Sequence, residues 1–228
     1  MELKELMEKR MPTHGMREAL DIRFFYRWVS LPLTYIFYHI GLTANVVSYL
    51  MISISILSAI LIYQGEIVVG IALWQLWLIL DSVDGEIARL RKECSSKGWF
   101  LDLVFENFCF PINFIAIGFA FDQEILGFAV ASLWILGISI RYNYLECLSQ
   151  THYNDEDMRN RDGLIMKVLR YLSYGEFKTV IAFWALVCAI LFFKMYNFLY
   201  LLTVILSIRT VIQIIVLGHS LSKCDDNT

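Results

Sequence analysis

Asp81-Ser-Val-Asp84-Gly85-Glu-Ile-Ala88-Arg89, followed after a short basic loop by Gly98-Trp-Phe-Leu-Asp102-Leu-Val-Phe-Glu106, is the stretch around which the chain is organised. Asp81 and Asp84 are three residues apart and Ala88 comes four further on, so on a helix the three share a face. Gly98, Asp102 and Glu106 recur every four residues and give a second helix one face of its own. With a turn between Arg89 and Gly98 the two helices become antiparallel neighbours, and four carboxylates point into one gap. Facing carboxylates repel one another unless cations lie between them. Oxygen-only ligands suit magnesium, manganese or calcium rather than zinc.

The surroundings of that stretch are lipid-like. Of 228 residues, 58% are hydrophobic and 15% aromatic, and the mean hydropathy is +0.58. Such a composition implies an integral membrane protein with rings anchoring both interfaces. The net charge of -3 says little by itself, and no nucleic-acid partner is expected. The five cysteines have no paired spacing, which fits neither a disulfide framework nor a zinc site. The polar start, Glu2 to Arg10, is not followed by the short apolar run of a cleavable signal peptide.

The expected fold is all-α and membrane-embedded, with six transmembrane helices and an N-terminal amphipathic interfacial helix at about 21–40. In that stretch Phe24, Phe25, Trp28, Leu31 and Phe37 alternate with Arg23, Arg27, Ser30 and Thr34, and Pro32 interrupts. The spans fall at about 45–63, 67–90, 99–121, 125–146, 175–193 and 198–217. Thr43 is placed to cap the first of them. Arg141 and Asn143 interrupt the fourth, and the cost of polar groups in lipid turns them toward the bundle interior. A charged connection runs from Ser149 to about Leu172, and no linker divides the chain, so residues 1–228 form a single domain. With both termini cytoplasmic, only Lys194 of the 19 Lys and Arg residues falls on the outer side. That asymmetry puts the carboxylates at the cytoplasmic face.

The spacing D-x2-D-G-x2-A-R-x8-G-x3-D-x3-E resembles the signature of the CDP-alcohol phosphotransferases (CDP-alcohol phosphatidyltransferases). Seven of its eight fixed positions match, at Asp81, Asp84, Gly85, Ala88, Arg89, Gly98 and Asp102; Glu106 stands where the family has its last Asp. Gly41-Leu-Thr-Ala-Asn45-Val-Val-Ser48 also resembles the segment that opens the family's first span, with Ala44 in place of Pro and Ser48 in place of Thr. The resemblance implies that Asp81, Asp84, Asp102 and Glu106 hold Mg2+ or Mn2+, two ions in all, and that Glu106 is also the general base. It makes Asn45, Ser48, Gly85, Ala88, Arg89 and Gly98 nucleotide contacts and Arg141 an acceptor contact, in a homodimer. Gly85, Ala88 and Gly98 serve close helix packing equally well, and Arg89 and Arg141 serve equally as local ion-pair partners. Glu86 is expected to face away from the motif and pair locally.

The implied reaction transfers a phospho-alcohol group from a CDP-linked donor to a hydroxyl acceptor and releases CMP. The chain's short length favours CDP-diacylglycerol as donor and phospholipid biosynthesis as context. Its Asp84-Gly-Glu-Ile-Ala-Arg89 wording also resembles relatives that use a soluble CDP-polyol, so both donors stay open. Two further readings compete: a divalent-cation transporter, and an inactive CDP-binding scaffold made plausible by Glu106. Transporter sites lie near the bilayer midplane between repeats, whereas these acids lie toward one edge.

Overall fold

A computed structural model describes residues 26–151 and 195–225. The predicted fifth span at about 175–193, most of the charged connection before it and residues 21–25 lie outside the described residues. Within them the structure is helical and contains no strand. The helices are α1 (Arg27–His39), α2 (Ala44–Tyr63), α3 (Ile67–Arg91), α4 (Ser96–Ala120), α5 (Glu124–Thr151) and α6 (Met195–Asp225). Among the described residues, α2 to α6 are the five helices long and apolar enough to cross a membrane, and the chain is a multi-pass membrane protein.

The turns explain why the helices stop where they do. At the end of α1, Leu42 N donates to Phe37 O at 3.0 Å and Gly41 N to Tyr38 O at 3.3 Å, a Schellman pair that needs the positive φ of Gly41, +86°. At the end of α3 the same pair of bonds closes over Lys92, a non-glycine residue with φ 58°. Thr43 occupies the N-cap position of α2, but its side chain accepts no capping bond; its carbonyl instead accepts from Val46 N and Val47 N at 3.1 and 3.3 Å. Ser95 does cap α4, accepting from Gly98 N at 3.1 Å.

Packing follows a consistent register. Helix α2 runs antiparallel to α3: a Cβ on Gly70 would meet Ile62 Cγ1 at 2.5 Å, while Ser48 reaches Asp84 at the other end. It runs parallel to α4, where Tyr49 meets Phe105 and Tyr63 meets Phe119. Between these ends is a buried polar knot. Asn113 Nδ2 donates to Ser55 Oγ at 3.0 Å and to the Cys109 carbonyl at 2.8 Å, and Ser58 Oγ lies 2.7 Å from both Asn113 Oδ1 and the Gly70 carbonyl. Satisfied polar groups of this kind fix the relative height of three helices in an otherwise apolar core. Another close crossing joins α4 to α5, where a Cβ on Gly118 would come within 2.9 Å of Gly127 Cα.

Helix α1 forms where the amphipathic pattern predicts one and continues through Pro32. Its faces are arranged unlike those of a polar-out surface helix. Ser30 and Thr34 are fully buried against α3, whereas Trp28, Ile36 and Ile40 are exposed. Tyr26 OH donates to Gln75 Oε1 at 2.9 Å, and Arg91 Nη2 donates to Tyr38 O at 3.1 Å, so α1 follows the second half of α3 in the same direction. In lipid the apolar side is the outer side, and the polar side is buried wherever it finds partners.

Candidate active site

The register of α3 against α4 is set by aromatic rings. Trp74 meets Phe114 edge-on at 5.3 Å and Trp77 meets Phe110 at 5.3 Å, while Phe110 stacks on Trp134 of α5 at 4.3 Å. The helices are therefore antiparallel, as the spacing predicts. One turn beyond Trp77, Asp81 comes level with Glu106; one turn further, Asp84 and Gly85 come level with Asp102. The connection between the helices, residues 92–95, is shorter than the eight residues separating Arg89 from Gly98, because helix continues on both sides.

Asp81, Asp84 and Glu106 are half-buried and Asp102 is exposed. Asp84 lies within charge–charge reach of Asp81 and of Arg89. Cys109, a fully buried free thiol, lies within reach of both Asp81 and Glu106 and marks the floor between the helices. From α2, Ser48 Oγ lies 2.5 Å from Asp84 Oδ2 and 3.1 Å from the carbonyl of Ala44. Its hydroxyl has one hydrogen, and the shorter, charge-assisted bond to the carboxylate is the stronger.

These four acids suit a hard divalent cation in donor type, since all are carboxylates, and in placement, since two helices bring them to one gap. Their side chains are not drawn onto one point: among the described residues no three His, Cys, Asp or Glu side chains are grouped closely enough to hold an ion. The fit is one of backbone placement and chemistry, and rotation of carboxylates about their χ angles is what would complete it.

The remaining predicted residues divide. Ser48 joins the cluster, while Asn45, one turn earlier on α2, is exposed at the same end of the bundle and comes about level with Ala88. A Cβ on Gly85 would lie 3.1 Å from Arg89 Nη1, so Gly85 lets the guanidinium fold back along α3 toward Asp84. A Cβ on Gly98 would meet only Ser95 Oγ, at 3.4 Å. Neither glycine serves close helix packing, which falls instead to Gly70, Gly118 and Gly127. Ala88 is half-buried against the core. Arg91 is turned away toward α1, its guanidinium 5.3 Å above the Tyr38 ring.

Arg141 is half-buried, as its position in a span requires, but Asn143 is exposed among the described residues. Two residues apart on a helix they are about 200° apart, so both cannot face the interior. Glu86 does face away from the other acids, but its partners are distant in sequence: Ser30 and Thr34, 56 and 52 residues earlier. Sequence reasoning also passed over Arg209. It lies well inside the span Asn197–His219, 5.9 Å above the Trp134 ring and within charge–charge reach of Arg141 and Glu106. The cost of a guanidinium in lipid, which singled out Arg141, applies equally to Arg209.

Compared with curated proteins, the sequence matches none. Compared with protein families, it matches CDP-alcohol phosphatidyltransferase over residues 41–216, which takes in α2 to α5, most of α6 and all four acids. With the signature helices antiparallel and their acids level across one gap, the chain belongs to the CDP-alcohol phosphatidyltransferase family, whose members move a phospho-alcohol group from a CDP-alcohol donor to a hydroxyl acceptor.

Proposed function

We propose that the chain transfers a phosphatidyl group from CDP-diacylglycerol to a small polar alcohol, releasing CMP, in phospholipid biosynthesis. The observation that carries this reading is the level pairing of Asp81 with Glu106 and of Asp84 with Asp102 across α3 and α4. Asp81, Asp84, Asp102 and Glu106 would hold two Mg2+ or Mn2+ ions, which when bound neutralise the pyrophosphate and polarise the attacked phosphorus. Ser48 fixes the rotamer of Asp84 by its hydrogen bond, and Arg89 braces the same carboxylate from the following turn. The open side of Gly98, with exposed Asn45 opposite, leaves room for the cytidine.

Glu106 accepts the proton of the acceptor hydroxyl as its oxygen attacks the β-phosphorus of the donor; the bond from that phosphorus to the bridging oxygen breaks, and CMP leaves with the electron pair. A Glu in place of Asp carries its carboxylate one methylene further into the gap between α3 and α4. Arg209 puts positive charge within reach of Glu106, with Arg141 near it, and together they would hold an acceptor bearing an anionic group. The Lys and Arg asymmetry supports a cytoplasmic site, and the family supports a homodimer.

The test is CMP release by the purified full chain in lipid, with CDP-diacylglycerol and then soluble CDP-alcohols, with and without Mg2+ or Mn2+. Metal-dependent CMP from wild type, reduced at least ~100-fold in Glu106→Gln, is the expected result. A productive soluble donor and an unproductive CDP-diacylglycerol would replace the phosphatidyl reading with the CDP-polyol one. Metal flux into vesicles without nucleotide, and no CMP from any donor, would favour a transporter.

A further inference from the structure

Glu86 occupies a variable position of the signature, on the far side of α3 from Asp81 and Asp84, about 140° and 160° away around the axis. Its side chain is fully buried. Oε1 accepts from Ser30 Oγ at 2.9 Å and Oε2 accepts from Thr34 Oγ1 at 2.6 Å. Ser30 and Thr34 are one turn apart on α1 and are fully buried themselves.

A buried carboxylate is an expensive way to join two helices. Apolar residues of similar shape usually stabilise as well or better. What this arrangement supplies is direction. Each carboxylate oxygen is tied to a separate hydroxyl, so the plane of the carboxylate is fixed, and with it the rotation of α3 relative to α1. Two further hydrogen bonds tie α3 to the α1 segment, Tyr26 with Gln75 and Arg91 with Tyr38, and they lie further along α3 in either direction. The two bonds of Glu86 are level with the signature acids. A rotation of α3 by about 10° would move side-chain oxygens, ~5–6 Å from the axis, by about 1 Å, and a misplacement of that size can reduce catalysis ~100-fold.

We propose that Ser30, Thr34 and Glu86 are positioning residues, a hydroxyl–carboxylate clamp that sets the rotation of α3 and so the placement of Asp81 and Asp84 as metal ligands. This rests on the reading of those acids as ligands, made above. The clamp acts from outside the bonding shell, as supporting residues do in other metal sites, where their loss weakens metal binding ~10–100-fold.

The experiment compares full-length proteins in lipid nanodiscs by three readouts: Mn2+ affinity from the electron paramagnetic resonance of free Mn2+ without nucleotide, melting temperature, and Mn2+-dependent CMP release. The triple variant Ser30→Ala, Thr34→Val, Glu86→Met replaces the clamp with apolar contacts. It is expected to melt near wild type while binding Mn2+ about tenfold more weakly. Tyr26→Phe, which removes a contact far from the acids, is expected to keep Mn2+ affinity within about twofold. As a single-site check, Thr34→Val weakens Mn2+ binding and Thr34→Ser restores it. Unchanged Mn2+ affinity in the triple variant and in Thr34→Val, or an equal loss in Tyr26→Phe, overturns the clamp. Wild type that binds Mn2+ yet releases no CMP sinks the transfer reading and leaves the affinity comparison to decide the clamp; wild type that takes up no Mn2+ overturns both.

Discussion

Ser48 Oγ lies 2.5 Å from Asp84 Oδ2, joining the opening turns of α2 to the second acid of the signature on α3. The family position is usually Thr, and Ser supplies the same hydroxyl with less restriction at χ1. Ser48→Ala would leave Asp84 free to swing among rotamers. A ~10-fold or greater rise in the Mg2+ or Mn2+ concentration that half-activates CMP release is expected. Ser48→Thr should stay within a few-fold of wild type, and equal metal dependence in all three proteins would refute the role given to the hydroxyl.

Arg209 stacks over Trp134 and shares a neighbourhood with Arg141 and Glu106. Arg209→Met keeps the stem that packs on the ring but removes the charge. With an anionic acceptor its KM should rise at least ~10-fold, the scale of a lost charge-assisted hydrogen bond. With a neutral polyol acceptor the KM should change little. Steady-state kinetics on one acceptor of each kind distinguish these outcomes, and an equal effect on both would make Arg209 a structural residue.

Gly127→Ala and Gly98→Ala should separate packing from binding. A Cβ on Gly127 would lie 2.9 Å from the Phe114 carbonyl and 3.0 Å from Gly118 Cα, so α4 and α5 must move apart, at ~1–3 kcal/mol. Thermal unfolding in lipid should show a clearly lowered Tm. At Gly98 the new methyl meets only Ser95 Oγ. That variant should melt at or above wild type and show a raised KM for the CDP-alcohol; a wild-type KM would remove Gly98 from the nucleotide pocket.

Much of this arrangement is legible in the sequence, for a physical reason. Transmembrane helices satisfy their own backbone, so long apolar runs mark them directly, and i, i+3, i+4 spacing places Asp81 with Asp84 and Asp102 with Glu106 without knowledge of their neighbours. What is not legible depends on partners far along the chain. Periodicity shows that α1 has two faces but not which of them is buried, since that depends on Glu86, 56 residues later. Arg209 falls inside the predicted span at 198–217, where the cost of its charge marks it as it marks Arg141, but its neighbours Trp134, Arg141 and Glu106 are far away along the chain and come to it only in the folded bundle. Gly85 and Gly98 look alike as small residues, yet one accommodates its own helix's arginine and the other leaves open space.

The buried polar face of α1 bears on how the chain can be divided. The family match begins at residue 41, just after this helix ends at His39. A protein trimmed to that boundary would retain every acid, glycine and arginine of the signature, but would leave the carboxyl of Glu86 with neither hydroxyl beside it. The edge of the homologous segment thus cuts between two helices that share buried hydrogen bonds.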